Sequence, residues 1–192
     1  MSLITSERNT YEEMWGVESY AAHSPGEMFV PVFLDMVPPT IMTKSSILDA
    51  GCGSGKGAIA LEKAGFAVKC CDLTSAGLIP EASHLPFVET NLWDNLTKKV
   101  GFTDWVYCCD VLEHIPTEFT MLTVSRLLDV ARKGLFLSIS LVPDQNGVWV
   151  GRPLHLTVQP FVWWRDNLST LGTVVEGRDL ITSAAFLVTP HA

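Results

Sequence analysis

Ser46-Ile-Leu-Asp-Ala-Gly-Cys-Gly-Ser-Gly-Lys-Gly57 joins a short apolar run to a loop with glycine at 51, 53, 55 and 57. The run reads as a buried strand over 46–49. A helix is expected from Lys56 to Ala64, with Ala58, Ile59 and Leu61 toward the core and Gly65 at its end. Glycines at such a turn allow dihedrals closed to other residues, and without Cβ atoms a ligand can lie directly on the main chain. Spacing separates the possible uses. A phosphate-gripping P-loop needs glycine at 50 and Ser or Thr at 57, where Ala50 and Gly57 stand. The dinucleotide pattern G-x-G-x-x-G needs glycine at 56 or 58, where Lys56 and Ala58 stand, so hydride chemistry is disfavoured. What is left is an acidic residue followed by alternating glycines, Asp49, Gly51, Gly53 and Gly55.

Outward from this turn, strand and helix signals alternate as in a doubly wound α/β sheet. Further strands are expected at 67–71, 85–90, 103–109, 135–142, 173–176 and 184–188. Thr117 is placed to cap a helix running to Val130, with Met121, Val124 and Leu128 on its apolar face. Asp144-Gln-Asn-Gly147 reads as a turn, and a helix is expected through Phe161–Leu168. Upstream, Ser24-Pro-Gly-Glu27 reads as a capping box with Pro at the first helical position, and Pro31 should kink or end that helix.

Composition narrows the function. The 192 residues suit one domain with a sizeable core, and 47% hydrophobic content marks a folded chain. A formal charge of −8 argues against an extended grip on nucleic acid. No stretch approaches the roughly 20 apolar residues of a membrane span and no signal peptide is visible, which points to the cytoplasm. The five cysteines (52, 70, 71, 108, 109) form no C-x-x-C pair and read as small buried hydrophobes; Cys52, Cys71 and Cys109 could converge at neighbouring strand ends, but no metal ligand set is assigned.

The pattern Asp49/Gly51/Gly53/Gly55 resembles the first motif of class I S-adenosylmethionine-dependent methyltransferases. That resemblance covers about residues 40 to 190 and implies a Rossmann-like sheet of seven strands, mostly parallel, ending in an antiparallel hairpin. It implies S-adenosylmethionine as cofactor. Asp72, closing the second strand next to Leu73, would hold the ribose hydroxyls; a turn cap is the competing reading. Asn91-Leu92 stands where the family has an acidic residue before an apolar one, and would take the adenine, with Asp94 as a backup; Trp93 reads as packing. Asp110-Val-Leu-Glu-His-Ile115 is similar to the "vLEHI" segment of small-molecule methyltransferases. Asp110 would meet the cofactor's ammonium, and His114 is a candidate catalytic base, although Glu113 and His114 could equally pin the loop.

Residues 1–39, carrying Trp15 and Tyr20, are expected as a helical extension or lid ahead of a cofactor-binding domain over 40–192. His155 is a second candidate catalytic residue, and Arg152 a further acceptor contact. Their stretch, with Trp163 and Trp164 beyond it, resembles phage and bacterial methyltransferases of unassigned substrate. The Asp/Asn-Pro-Pro-aromatic motif of amino-directed DNA enzymes is replaced by Asp110-Val-Leu-Glu113, and no Pro-Cys dipeptide occurs, which makes a small-molecule acceptor with an oxygen or nitrogen nucleophile the leading class, with a protein acceptor still open. A non-catalytic cofactor-binding or scaffolding protein with the same fold stays open as the alternative.

Overall fold

The computed structural model describes residues 3–38 and 45–191; the boundary expected at 39/40 lies outside the described residues. Helices α1 (Leu3–Trp15), α2 (Glu18–Ala22) and α3 (Pro25–Met36) precede β1 (Ser46–Ala50). Then follow α4 (Lys56–Lys63), β2 (Ala67–Asp72), β3 (Phe87–Glu89), α5 (Leu96–Lys99), β4 (Thr103–Cys109), α6 (Thr117–Val130), β5 (Ala131–Ser140), α7 (Phe161–Leu168), β6 (Gly172–Asp179) and β7 (Ser183–Pro190). The seven strands form one sheet in the order β3-β2-β1-β4-β5-β7-β6. β1 to β5 run parallel, while β7 pairs antiparallel with both β5 and β6. This is the doubly wound architecture with a C-terminal hairpin that the sequence implies.

Strand alternation sorts the core into two layers. Leu48, Val106, Cys108, Leu135, Leu137 and Ile139 face α6 and α7, whose Val124, Leu127, Trp164 and Leu168 complete that side. Their chain neighbours Ile47, Trp105, Tyr107 and Phe136 face α3 and α4. Phe33 of α3, fully buried, lies within 5.3–6.1 Å of the rings of Phe66, Trp105, Tyr107 and Phe136. Burial of one such aromatic contributes about 2–3 kcal/mol.

Some local expectations are corrected. Pro31 sits inside α3 without ending it, because Val30, Phe33 and Met36 anchor the helix on both sides of the missing N–H. The Ser24 side chain makes no capping bond, so Pro25 at the helix start sets the turn unaided. Thr117 is the first residue of α6 and not its cap; its hydroxyl turns to Leu156 O and Thr157. Nor do Cys52, Cys71 and Cys109 converge: Cys71 belongs to the layer under α6, and the other two to the opposite layer.

Candidate functional site

A cavity of about 180 Å3 opens beyond the carboxyl ends of β1, β2 and β4, where strand order reverses between β1 and β4. Open α/β sheets gather ligands at such a crevice. Its floor is the glycine turn. Gly51, Gly53 and Gly55 have φ of +75°, +52° and +77°. A Cβ on Gly51 would come within 2.5 Å of the Val111 side chain, and one on Gly53 within 2.9 Å of Trp15, so positive φ and close approach both demand glycine there. Gly51 and Gly53 line the cavity. Gly55 instead leads into α4 beneath Ala82, away from the opening.

Asp72 ties the second strand to this turn. Its Oδ2 accepts from Gly53 N at 2.8 Å, and its Oδ1 from Leu73 N at 2.6 Å and more weakly from Thr74 N at 3.4 Å. Ligand holder and turn cap are therefore compatible for this residue, since Oδ2 accepts one donor and keeps a further lone pair, and Asp72 and Leu73 both line the cavity. Burial pushes the Asp72 carboxyl up while these three donors pull it down. Asp49, one strand over and only 4% exposed, is raised to about 7 by burial and then by the neighbouring Asp72 charge. The Asp72 carboxyl is raised on balance, its burial offset in part by the three backbone donors.

Asn91 and Leu92 are both buried against the cavity. The Asn91 carbonyl accepts from Trp93 N at 3.0 Å and shapes the turn on which Leu92 is presented. Trp93 stacks on Phe119 at 5.2 Å and also reaches the cavity. Asp94 pairs with Lys99 at 2.8 Å and does not line it.

Asp110 follows β4 with φ of +57°, its N–H on Ser138 O at 2.9 Å, and faces the cavity. Beyond it Glu113 is fully buried. Its main-chain carbonyl accepts from Leu156 N (2.7 Å) and Thr157 N (2.9 Å), and its Oε1 from Ser140 N at 2.6 Å. These bonds clamp the loops after β4 and β5 together. Burial pushes the Glu113 carboxyl well up, with the Asp110 charge adding to it. His114 and His155 meet edge to face at 4.7 Å. His114 Nδ1 bonds Leu154 O at 3.2 Å and His155 Nδ1 bonds Val142 O at 2.7 Å. Burial lowers the His114 pKa to about 4, so the ring is neutral at physiological pH.

The wall above is α1 and α2. Tyr11 meets His114 edge-on at 5.8 Å, and Trp15 covers Gly53 and Gly77 while packing on Tyr20 at 5.1 Å. Arg152 does not line the cavity. Its guanidinium grips both Glu7 carboxylate oxygens at 3.0 Å and Thr10 Oγ1 at 2.5 Å, joining α1 to the loop that carries His155. Asp144, which the sequence marks only as part of a turn, braces that loop by accepting from Gly147 N, Leu154 N and His155 N at 2.6, 2.8 and 3.0 Å. The D-x-x-G spacing signals the first of these bonds; the other two join residues ten and eleven positions apart and have no local signal. His23, which has no partner pattern in the sequence, also lines the cavity.

Residues 48–136 match the family model described as a methyltransferase domain. Over those residues the chain is similar to a methyltransferase domain, and its sheet has the fold of a solved methyltransferase. It is 34% identical over 105 residues to the chloroplastic magnesium protoporphyrin IX methyltransferase of Arabidopsis thaliana, covering 50% of this chain and 32% of the relative. It is 35% identical over 101 residues to magnesium-protoporphyrin O-methyltransferase of Synechocystis sp. (strain ATCC 27184 / PCC 6803 / Kazusa), covering 49% and 44%. The alignments thus span a third to under a half of the length of these curated relatives. Among solved structures, magnesium protoporphyrin IX methyltransferase from Synechocystis PCC 6803 with bound SAM superposes with a TM-score of 0.64 at 19% identity, over 98% of this chain and 85% of that one. That likeness is one of fold. Among the described residues no helix is long and apolar enough to cross a membrane.

Proposed function

We propose that this chain binds S-adenosylmethionine and transfers its methyl group to a small-molecule oxygen or nitrogen nucleophile. One observation carries the reading. The cavity on the glycine turn is lined by Glu7, Asp49, Asp72, Asp110 and Asp144, and by no lysine or arginine among the described residues. Phosphate-bearing nucleotides would be repelled by that lining, whereas a nucleoside carrying a sulfonium and an ammonium is attracted to it. The turn itself fits such a ligand, because side-chain-free backbone at Gly51 and Gly53 is open to the cavity.

In this reading Asp72 takes the ribose hydroxyls, with Leu73 beside it. Leu92 and the Asn91 turn flank the adenine, and Asp49 and Asp110 attract the ammonium. When bound, the sulfonium supplies a methyl group whose leaving group is already activated. The chain's task is to align nucleophile and methyl and to exclude water. Tyr11, Trp15 and Tyr20 support residues 1–39 as the lid that does the excluding, over a cofactor domain spanning 40–192. His114 and His155 border the acceptor end. A cytoplasmic setting is supported by five buried, unpaired cysteines, as in reducing compartments, and the charge of −8 again favours a small molecule over nucleic acid.

Trp15 resting on Gly53 favours one rival, a cofactor-binding scaffold whose acceptor side is plugged by that ring. Calorimetry with S-adenosylhomocysteine, then turnover with magnesium protoporphyrin IX as the first acceptor because both curated relatives are named for it, separates the two. Single-site binding with methyl transfer is expected. Binding without turnover on any acceptor favours the scaffold, and no binding by the parent chain refutes both.

A further inference from the structure

We propose that Glu113, His114 and His155 form a binding site for one divalent transition-metal ion at the acceptor end of the cavity. A carboxylate oxygen of Glu113 and a ring nitrogen of each histidine lie within 4.8 Å of one another. Bonds of about 2.0–2.2 Å to a first-row ion place its ligand atoms about 3–3.5 Å apart, so a pair at the 4.8 Å limit closes by about 1.3–1.8 Å on binding.

Three features distinguish this group from a chance meeting of polar side chains. First, Glu113 Oε2 is fully buried and receives no N–H donor, while Oε1 is held by Ser140 N; the neighbouring acid is Asp110, whose charge acts on the Glu113 carboxyl. Two buried carboxyls side by side are relieved by a shared proton or by a cation, so an ion here binds in competition with a proton. Second, both imidazoles direct Nδ1 to a main-chain carbonyl, Leu154 O and Val142 O. A carbonyl can only accept, so the proton resides on Nδ1 and Nε2 keeps its lone pair; metal-bound histidines are oriented in this way by their outer neighbours. Third, the ligands are braced from different elements. Glu113 and His114 belong to the turn after β4, and His155 is fixed by Asp144 through its own N–H and that of Leu154.

Two imidazoles with one carboxylate favour zinc, manganese, iron or cobalt over magnesium or calcium, whose preferred ligands are oxygens alone. Three protein ligands leave coordination positions open. Those positions would take an oxygen of the acceptor, a role that rests on the methyl-transfer reading, whereas ion binding stands on the cluster alone.

The test uses the full chain stripped with EDTA and titrated with Zn2+ by calorimetry and with Co2+ by visible absorption, without cofactor. One ion per chain is expected, with d–d bands and no thiolate charge-transfer band. Glu113→Gln and His155→Ala should each weaken binding at least ten-fold. Because Glu113 also clamps two loops, the deciding variant is His155→Ala, whose side chain is partly exposed and whose fold is checked by circular dichroism. No ion uptake by the parent chain, or undiminished uptake in His155→Ala, overturns the proposal. S-Adenosylhomocysteine affinity is measured separately on the metal-free chain. Cofactor binding without Zn2+ binding removes the ion site and leaves the methyltransferase reading standing, and Zn2+ binding without cofactor binding does the reverse.

Discussion

Replacing Asp49 by asparagine should make the empty protein more tolerant of alkaline pH while weakening its cofactor site. Asp49 is 4% exposed, and burial together with the Asp72 charge raises its carboxyl from 3.8 to about 7. The folded chain therefore holds a proton that the unfolded chain releases anywhere between those two values. Stability tied to this group is full below about pH 4 and is lost as pH rises through about 7. Integrated from pH 5 to pH 8, the loss is about 2.5 kcal/mol. Asparagine keeps the shape and titrates nowhere, so the difference in unfolding free energy between Asp49→Asn and the parent should grow by about that amount across the interval. Urea denaturation at pH 5, 6, 7 and 8 measures it, and the difference between the two proteins cancels the titrating groups that do not interact with Asp49. In parallel, S-adenosylhomocysteine affinity of the parent should rise through pH 7 as Asp49 ionises, and the variant should lack that rise. Parallel stability curves for the two proteins would refute a buried, repelled carboxyl at the head of the glycine turn.

Asp72→Asn removes charge from an acceptor of three backbone N–H groups and should cut S-adenosylhomocysteine affinity at least ten-fold by calorimetry. Gly53→Ala places a Cβ at φ +52° against Trp15 and should cost about 1–3 kcal/mol in denaturant melts; adding Trp15→Ala should recover only the steric part. Thr157→Val deletes a buried hydroxyl bonded to Ile115 O at 2.8 Å, for an expected loss of about 1–2 kcal/mol by thermal denaturation. Arg152→Ala leaves the buried Glu7 carboxylate without its partner and should raise hydrogen exchange across α1 by an amount equivalent to about 1–2 kcal/mol, with the sheet unaffected.

The sheet is legible in the sequence because its information is local. Alternation such as Trp105-Val-Tyr-Cys-Cys109 assigns each side chain to a layer, and glycine spacing alone separates the turn after β1 from its phosphate-binding lookalikes. Where strand extents differ from the expected ones, pairing and not composition sets the limits. β5 begins at Ala131, directly after α6, because Ala131 pairs with Thr103, although Arg132 and Lys133 do not read as a strand. β3 is confined to 87–89 by three pairs with β2. The four-residue α5 is too short for any periodicity to reveal. At the site, the cavity-lining positions of Asp72, Leu92, Asp110 and His114 follow from strand ends that pattern can locate. The partners of Glu7 and Glu113, and those of Asp144 beyond Gly147, do not. Arg152 meets Glu7 across 145 positions and Ser140 meets Glu113 across 27, distances at which one sequence carries no geometric signal.

The grip of Arg152 on Glu7 has a mechanical consequence. The same short loop bears the arginine that fastens the first helix and, three residues later, the imidazole of His155. Roof and far wall are thus fastened by one guanidinium, so displacing the first helix loads the loop that carries His155. Under the proposed methyl transfer, release of a spent ligand past that helix would loosen the acceptor end in the same step.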